Sequence, residues 1–149
     1  MSEAIDFGQG NSVCFLVSCV GAKSAAPSKA KDLYVSDWFR KARRYIECSG
    51  SPWFILSAEY GLVDPESVIS PYEKTLNRMG VAERRTWARD VIRDMDQRLP
   101  ICDLIVVLAG ARYREFLMDY LSHRAKHVRV PMEGLRIGEQ LSWLNSHTK

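Results

Sequence analysis

Residues 104–108 read LIVVL, five apolar side chains in a row with Pro100 ahead of them and Gly110 behind. A run this short, rich in β-branched residues and bounded by turn formers, is a strand covered on both faces rather than one face of a helix. Two other stretches share its character, SVCFLVS at 12–18 and WFILS at 53–57. Between them the pattern changes to a helical one. Ser36 is a candidate N-cap, Asp37 suits the first turn, and Trp38, Phe39, Ala42, Tyr45 and Ile46 form an apolar face opposite Arg40, Lys41, Arg43 and Arg44. Gly50 and Pro52 end that helix. A second helix covers 81–99, with Ala88, Val91, Ile92, Met95 and Leu99 at helical spacing and Pro100 as its stop. A short helix at 114–121, a brief strand at 128–130 closed by Pro131, and a last helix carrying Ile137, Leu141 and Leu144 complete the chain. Strands alternating with helices require parallel pairing and right-handed crossovers. The expected fold is therefore α/β, a three-layer sandwich around a mostly parallel four-stranded sheet built from 12–18, 53–57, 104–108 and 128–130. An antiparallel meander, or a helix in place of LIVVL, would overturn it.

The composition agrees with one globular domain: 149 residues, 46% hydrophobic and 26% charged. Residues 1–11 read as a flexible lead-in to a single domain at 12–149. They carry Glu3 and Asp6 and no basic stretch, so they are not read as a secretory leader. No apolar run approaches the roughly 18 residues needed to span a bilayer. The expectation is a cytoplasmic, monomeric protein with no membrane partner. Its net charge of +3 is too small to specify a nucleic-acid partner by itself. Cys14, Cys19, Cys48 and Cys102 form no CxxC pair, and His123, His127 and His147 form no HExxH pattern. Neither a metal nor a cofactor is expected. Cys14 and Cys102 lie in or beside apolar strands, where a thiol acts as a small core residue.

In open sheets of this kind the ligand crevice lies beyond the carboxyl ends of the strands. That rule nominates residues 18–23, 57–64, 109–113 and 131–138, which are also where polar, Gly and Pro residues gather. Glu59 follows WFILSA without a break and should stand at the rim, where a carboxylate can activate water or stabilise a developing cation. Its alternative is a solvated or ion-paired rim residue. Asp64 and Glu133, each in a post-strand loop, are the reserve carboxylates; Asp64, next to Pro65, equally suits an Asx turn. Ser18, Cys19 and Lys23 form a loop able to take an anion, and Cys19 as a nucleophile would lack a nearby base. The segment from Lys23 to Leu33 reads as a long patternless loop. Tyr34, Tyr60, Tyr72 and Tyr113 sit outside the strands, where rings can stack on a base. Lys23, Lys29, Lys31, Arg112 and Arg114 are the candidate phosphate contacts. The arginines at 84, 85, 89 and 93, interleaved with Glu83, Asp90 and Asp94, read as a solvated helix face.

Taken together, SC-x3-K, LYVSDWF, ILSAEYGLVDPESVISPYEKTL, LIVVLAGARYREFL and VPMEGLRIGEQLSWL resemble a bacterial and phage family of formerly uncharacterised domains. The likeness runs from about residue 12 to 145, and the middle segment is its most specific part. That family is similar to a domain of archaeosine synthase, whose first loop has a Cys-Lys-Tyr-Ser order matched here by Cys19, Lys23, Tyr34 and Ser36. Both resemble the uracil-DNA glycosylase fold. The resemblance implies a DNA N-glycosylase that flips a modified base out of DNA and hydrolyses its N-glycosidic bond, as anti-phage enzymes do with glucosylated hydroxymethylcytosine. The residues expected around the base, from their positions and from the Cys-Lys-Tyr-Ser order together, are Ser18, Cys19, Tyr34, Ser36, Tyr60, Tyr72 and Tyr113. The usual polar water-activating loop and the late His-Pro-Ser segment of the glycosylases are absent as such; 18–23 and 130–135 stand in their places. The ILS-x2-YGL-x2-P…PY segment resembles the YaaA peroxide-stress proteins as well, so the alternatives are a DNA- or nucleotide-binding module without catalysis, or a base-exchange transferase.

Overall fold

The computed structural model describes residues 12–18 and 21–149; residues 1–11, expected as a lead-in, and Cys19 lie outside the described residues. The chain runs β1 (Val13–Ser18), β2 (Ser28–Lys29), α1 (Ala30–Leu33), α2 (Asp37–Ser49), β3 (Trp53–Ser57), β4 (Gly61–Val63) and β5 (Val68–Ile69). A 3-10 turn (Leu76–Arg78) leads into α3 (Val81–Arg98), β6 (Leu104–Leu108), α4 (Ala111–Arg114), α5 (Met118–Arg124), β7 (His127–Arg129) and α6 (Ile137–His147). The main sheet has the order β4-β3-β1-β6-β7. β3 and β6 flank β1 in parallel, and β7 adds to β6 in parallel.

Side-chain parity explains why the three long strands are apolar throughout. Cys14, Leu16, Leu56, Ile105 and Val107 enter one core with Ala88, Val91 and Met95 of α3. Val13, Phe15, Val17, Ile55, Val106 and Leu108 enter the other with Phe39, Ala42 and Ile46 of α2 and Leu144 of α6. Successive residues thus serve opposite faces, and each face is closed by helices. Ser36 caps α2 by accepting a hydrogen bond from the Phe39 amide at 3.2 Å, and Gly50 ends the helix at φ 70°.

The structure corrects the sequence reading at several points. The sheet has five strands, because β4 turns back antiparallel along β3, with Ile55 opposite Val63 and Ser57 opposite Gly61. The segment after Lys23 is not patternless: it holds β2, which pairs with β5 in a small antiparallel sheet, and α1. The helix expected at 114–121 is two helices, α4 and α5, and the last strand begins at His127. Arg84 does not belong to a solvated face. It is buried, its Nε donating to Glu115 at 2.9 Å and its Nη1 to the Met79 carbonyl at 2.6 Å. Among the described residues no helix is long and apolar enough to cross a membrane.

Candidate functional site

The strand order fixes where a crevice can form. From β1 the chain builds outward to β3, then returns to place β6 on the other side of β1. The loops after β1 and β6 therefore diverge at a topological switch point, the usual place for a ligand in an open parallel sheet. Ser18, buried, ends β1 beside Leu56. Beyond it, Gly21 lies at φ +146°, and a Cβ there would stand 3.6 Å from that of Ser36. The returning chain is tied down by the amide of Ser24 on the Leu33 carbonyl at 2.8 Å and that of Val35 on the Ala22 carbonyl at 3.0 Å. These bonds set Lys23 against Tyr34 in an antiparallel bridge.

Lys23 and Tyr34 meet a segment from far along the chain. The hydroxyls of Tyr34 and Tyr72 are 2.6 Å apart, with their rings edge to face. The Lys23 ammonium lies 4.4 Å from the centroid of the Tyr72 ring and donates to the Gly21 carbonyl at 3.2 Å. A cation held against a ring face in this way is attracted by the ring quadrupole. Tyr60 packs its ring edge to face on Tyr72 at 5.7 Å and donates its hydroxyl to the Ser70 carbonyl at 3.3 Å. From α4, the buried Tyr113 places its hydroxyl 3.4 Å from both Thr75 Oγ1 and the Leu76 amide.

Around these residues opens a cavity of about 710 Å³, lined by Lys23, Tyr72, Glu73, Lys74, Asn77 and Arg78 among others. That is ample for a nucleotide. Three of those side chains are cations and one is a carboxylate, so the cavity favours an anionic ligand. A second cavity, of about 500 Å³, adjoins it through Lys74 and has the opposite character, with Glu59, Glu83, Asp90 and Asp94 around Tyr60 and Trp87. A third, of about 220 Å³, lies under the loops after β6 and β7 and includes Gly110, Arg114, Glu133 and Gln140.

The expected site residues divide accordingly. Lys23 and Tyr72 line the first cavity, Tyr34 and Tyr113 touch its lining residues Tyr72 and Thr75, Tyr60 lines the second cavity, and Ser18 and Ser36 line none of the three. None of the expected carboxylates lines the first cavity. Glu59 is exposed at the tip of the β3–β4 hairpin and lines the acidic cavity. Asp64 follows β4, which has already run back from the carboxyl edge, and its Oδ1 accepts the Glu66 amide at 2.8 Å; it is an Asx-turn residue. Glu133 lies over the third cavity, 3.4 Å from Arg114.

Among the cations expected on phosphate, Lys29 and Lys31 are both ion-paired with Glu66. Those two ammonium groups, Lys31 first, hold the Glu66 carboxyl below its usual range. Arg114 donates to the Ala109 carbonyl at 2.7 Å and has its side chain 16% exposed, so it closes the structure rather than facing solvent. Arg112 is exposed on α4. The sequence reading missed Glu73, Lys74, Asn77 and Arg78, although PYEKTL was in view as part of a motif. Nothing local marks those residues as cavity-lining, since the wall they complete begins at Gly21. Among the described residues no cluster of His, Cys, Asp and Glu is placed to hold a metal ion.

The sequence model of a family described as "Family of unknown function (DUF6884)" matches residues 14–146. The chain is also 28% identical over 125 residues to the "Uncharacterized protein YfjM" of Bacillus subtilis (strain 168), covering 81% of each chain. No solved structure matches.

Proposed function

This chain belongs to the DUF6884 family, and from that premise we propose that it is a DNA N-glycosylase that takes a flipped, modified base into the cavity at Lys23 and Tyr72. The observation that carries the reading is the meeting of Lys23, from the loop after β1, with Tyr34 and Tyr72 at a cavity that Lys74 and Arg78 also line. Tyr72 supplies a ring to the lining, and Ser24, Thr75 and Asn77 supply donors and acceptors, which a base needs for its face and its edge. Lys74 and Arg78 suit the phosphates on either side of it. A mostly parallel sheet whose crevice follows its first strand is consistent with the uracil-DNA glycosylase-like architecture that the sequence resembles. The substrate in this reading is hypermodified cytosine of phage DNA and the setting is anti-phage defence.

One observation favours a second reading. Glu59, the carboxylate expected to catalyse, lines the adjoining cavity rather than this one, as a binding module without chemistry would allow. The two readings part in one assay. Phage DNA whose cytosine is replaced by glucosylated hydroxymethylcytosine is incubated with the protein, and the supernatant is analysed by mass spectrometry while the DNA is tested for alkali-labile sites. Release of the free modified base, with abasic sites in equal amount, is the expected result. Retention of the DNA with no base released would assign the binding module.

A further inference from the structure

We propose that Glu73 is the catalytic carboxylate of this site, an assignment that rests on the glycosylase reading and adds to it the group that activates water. Among the described residues lining the Lys23–Tyr72 cavity, Glu73 is the single carboxylate, while Glu59, Asp64 and Glu133 all lie elsewhere. Its place is also held from both sides. Upstream, the Tyr60 hydroxyl binds the Ser70 carbonyl and the Tyr72 hydroxyl binds that of Tyr34. Downstream, Thr75 Oγ1 lies 3.4 Å from the Tyr113 hydroxyl and accepts the Asn77 amide at 3.2 Å. Glu73 thus sits in a short span between Tyr72 and Thr75, whose side chains are bonded to distant parts of the chain. Anchored neighbours restrict where a loop residue can stand, which is the first requirement of a catalytic group.

The chemistry balances with water as the co-reactant. The C1′–N bond of the bound nucleotide breaks with its electron pair going to the base, which takes up a proton from solvent. Positive charge grows on C1′ and the ring oxygen, and a water oxygen bonds to C1′ as Glu73 accepts the water proton. The products are the free base and a C1′ hydroxyl at an abasic site, and Glu73 returns its proton to solvent. Lys74 and Arg78, in the same lining, are placed to hold the flanking phosphates, which keeps C1′ facing the carboxylate.

The test is single-turnover base release from the glucosylated phage DNA by the wild-type protein and by Glu73→Gln, Glu73→Asp, Glu73→Ala and Glu59→Gln. Loss of a water-activating carboxylate should lower the rate of Glu73→Gln by roughly 10²-fold or more with DNA affinity retained. Glu59→Gln should stay near the wild-type rate. Glu73→Asp should keep part of the activity, and added formate should restore part of it to Glu73→Ala, which a merely structural role would not allow. Glu73 is exposed, so unchanged thermal midpoints are expected and would exclude misfolding. A wild-type rate in Glu73→Gln would overturn this assignment and leave the glycosylase reading standing. No release by the wild-type protein would instead remove that reading, and the assignment with it.

Discussion

Arg112 and Arg114 stand two positions apart and have opposite surroundings. Arg114 donates to the Ala109 carbonyl at 2.7 Å and reaches Glu133 at 3.4 Å, joining the end of β6 to the loop after β7. Hydrogen bonds from a charged donor contribute about 1.5–3 kcal/mol when removal strands a buried partner. Arg114→Met is expected to lose stability in that range in urea unfolding, whereas Arg112→Ala, on the exposed side of α4, should stay within about 0.5 kcal/mol. Equal losses would show that Ala109 finds another donor. Glu66 gives a second test at this scale. Its carboxyl is held below the usual range by Lys31 and Lys29. A depressed folded value stabilises the protein above the unfolded value, and that contribution disappears as pH falls through the folded one. The thermal midpoint of Glu66→Gln should therefore fall less between pH 6 and pH 3 than that of the wild type. Both cases show where residue-level reading of a sequence stops. Lys29 and Lys31 look like free cations until Glu66, 35 residues beyond Lys31, is brought against them.

Elements were legible in proportion to their length. SVCFLVS, WFILS and LIVVL are long enough for both side-chain parities to be apolar, and that pattern has no other economical reading. β4 has three residues, and it follows a polar hairpin tip, so the same segment reads equally well as the start of a loop. β2 and β5 have two residues each and exist through one another. The hairpin can be tested at Gly61, which lies at φ +74°. A Cβ there would meet Val91 Cγ2 at 3.7 Å and Asp94 Oδ2 at 3.9 Å, ordinary contact distances, so the cost of Gly61→Ala comes from the backbone alone. About 1–2 kcal/mol is expected for the left-handed region, or roughly 2–8 °C in thermal midpoint for a chain of this size. A substitution without effect would mean that the turn can relax out of positive φ while β3 and β4 remain paired.

At the scale of the molecule, alternation of strands and helices nominated the loops at 18–23, 57–64, 109–113 and 131–138, but not the wall that the first of them faces. That wall is Tyr72 to Arg78, and only the fold brings it to Gly21 and Lys23. The same folding redistributes the charge. With a net charge of +3 the chain has no overwhelming field, so the attraction for DNA depends on which cations lack a partner. Lys74 and Arg78 line the first cavity, while Lys29 and Lys31 share the Glu66 carboxylate as partner. Each phosphate contact releases condensed counterions, so the plot of log affinity against log salt has a slope of about −0.9 per contact on duplex DNA. Duplex binding measured by anisotropy across a salt series should therefore separate the two pairs. Lys74→Ala with Arg78→Ala is expected to make the slope shallower by about 2, across all sequences alike, whereas Lys29→Ala with Lys31→Ala should leave it nearly unchanged. The reverse outcome would place DNA along the β2–β5 side of the protein, away from Tyr72. A base could not then enter the cavity without a second contact surface, and the cavity would be left to free nucleotides.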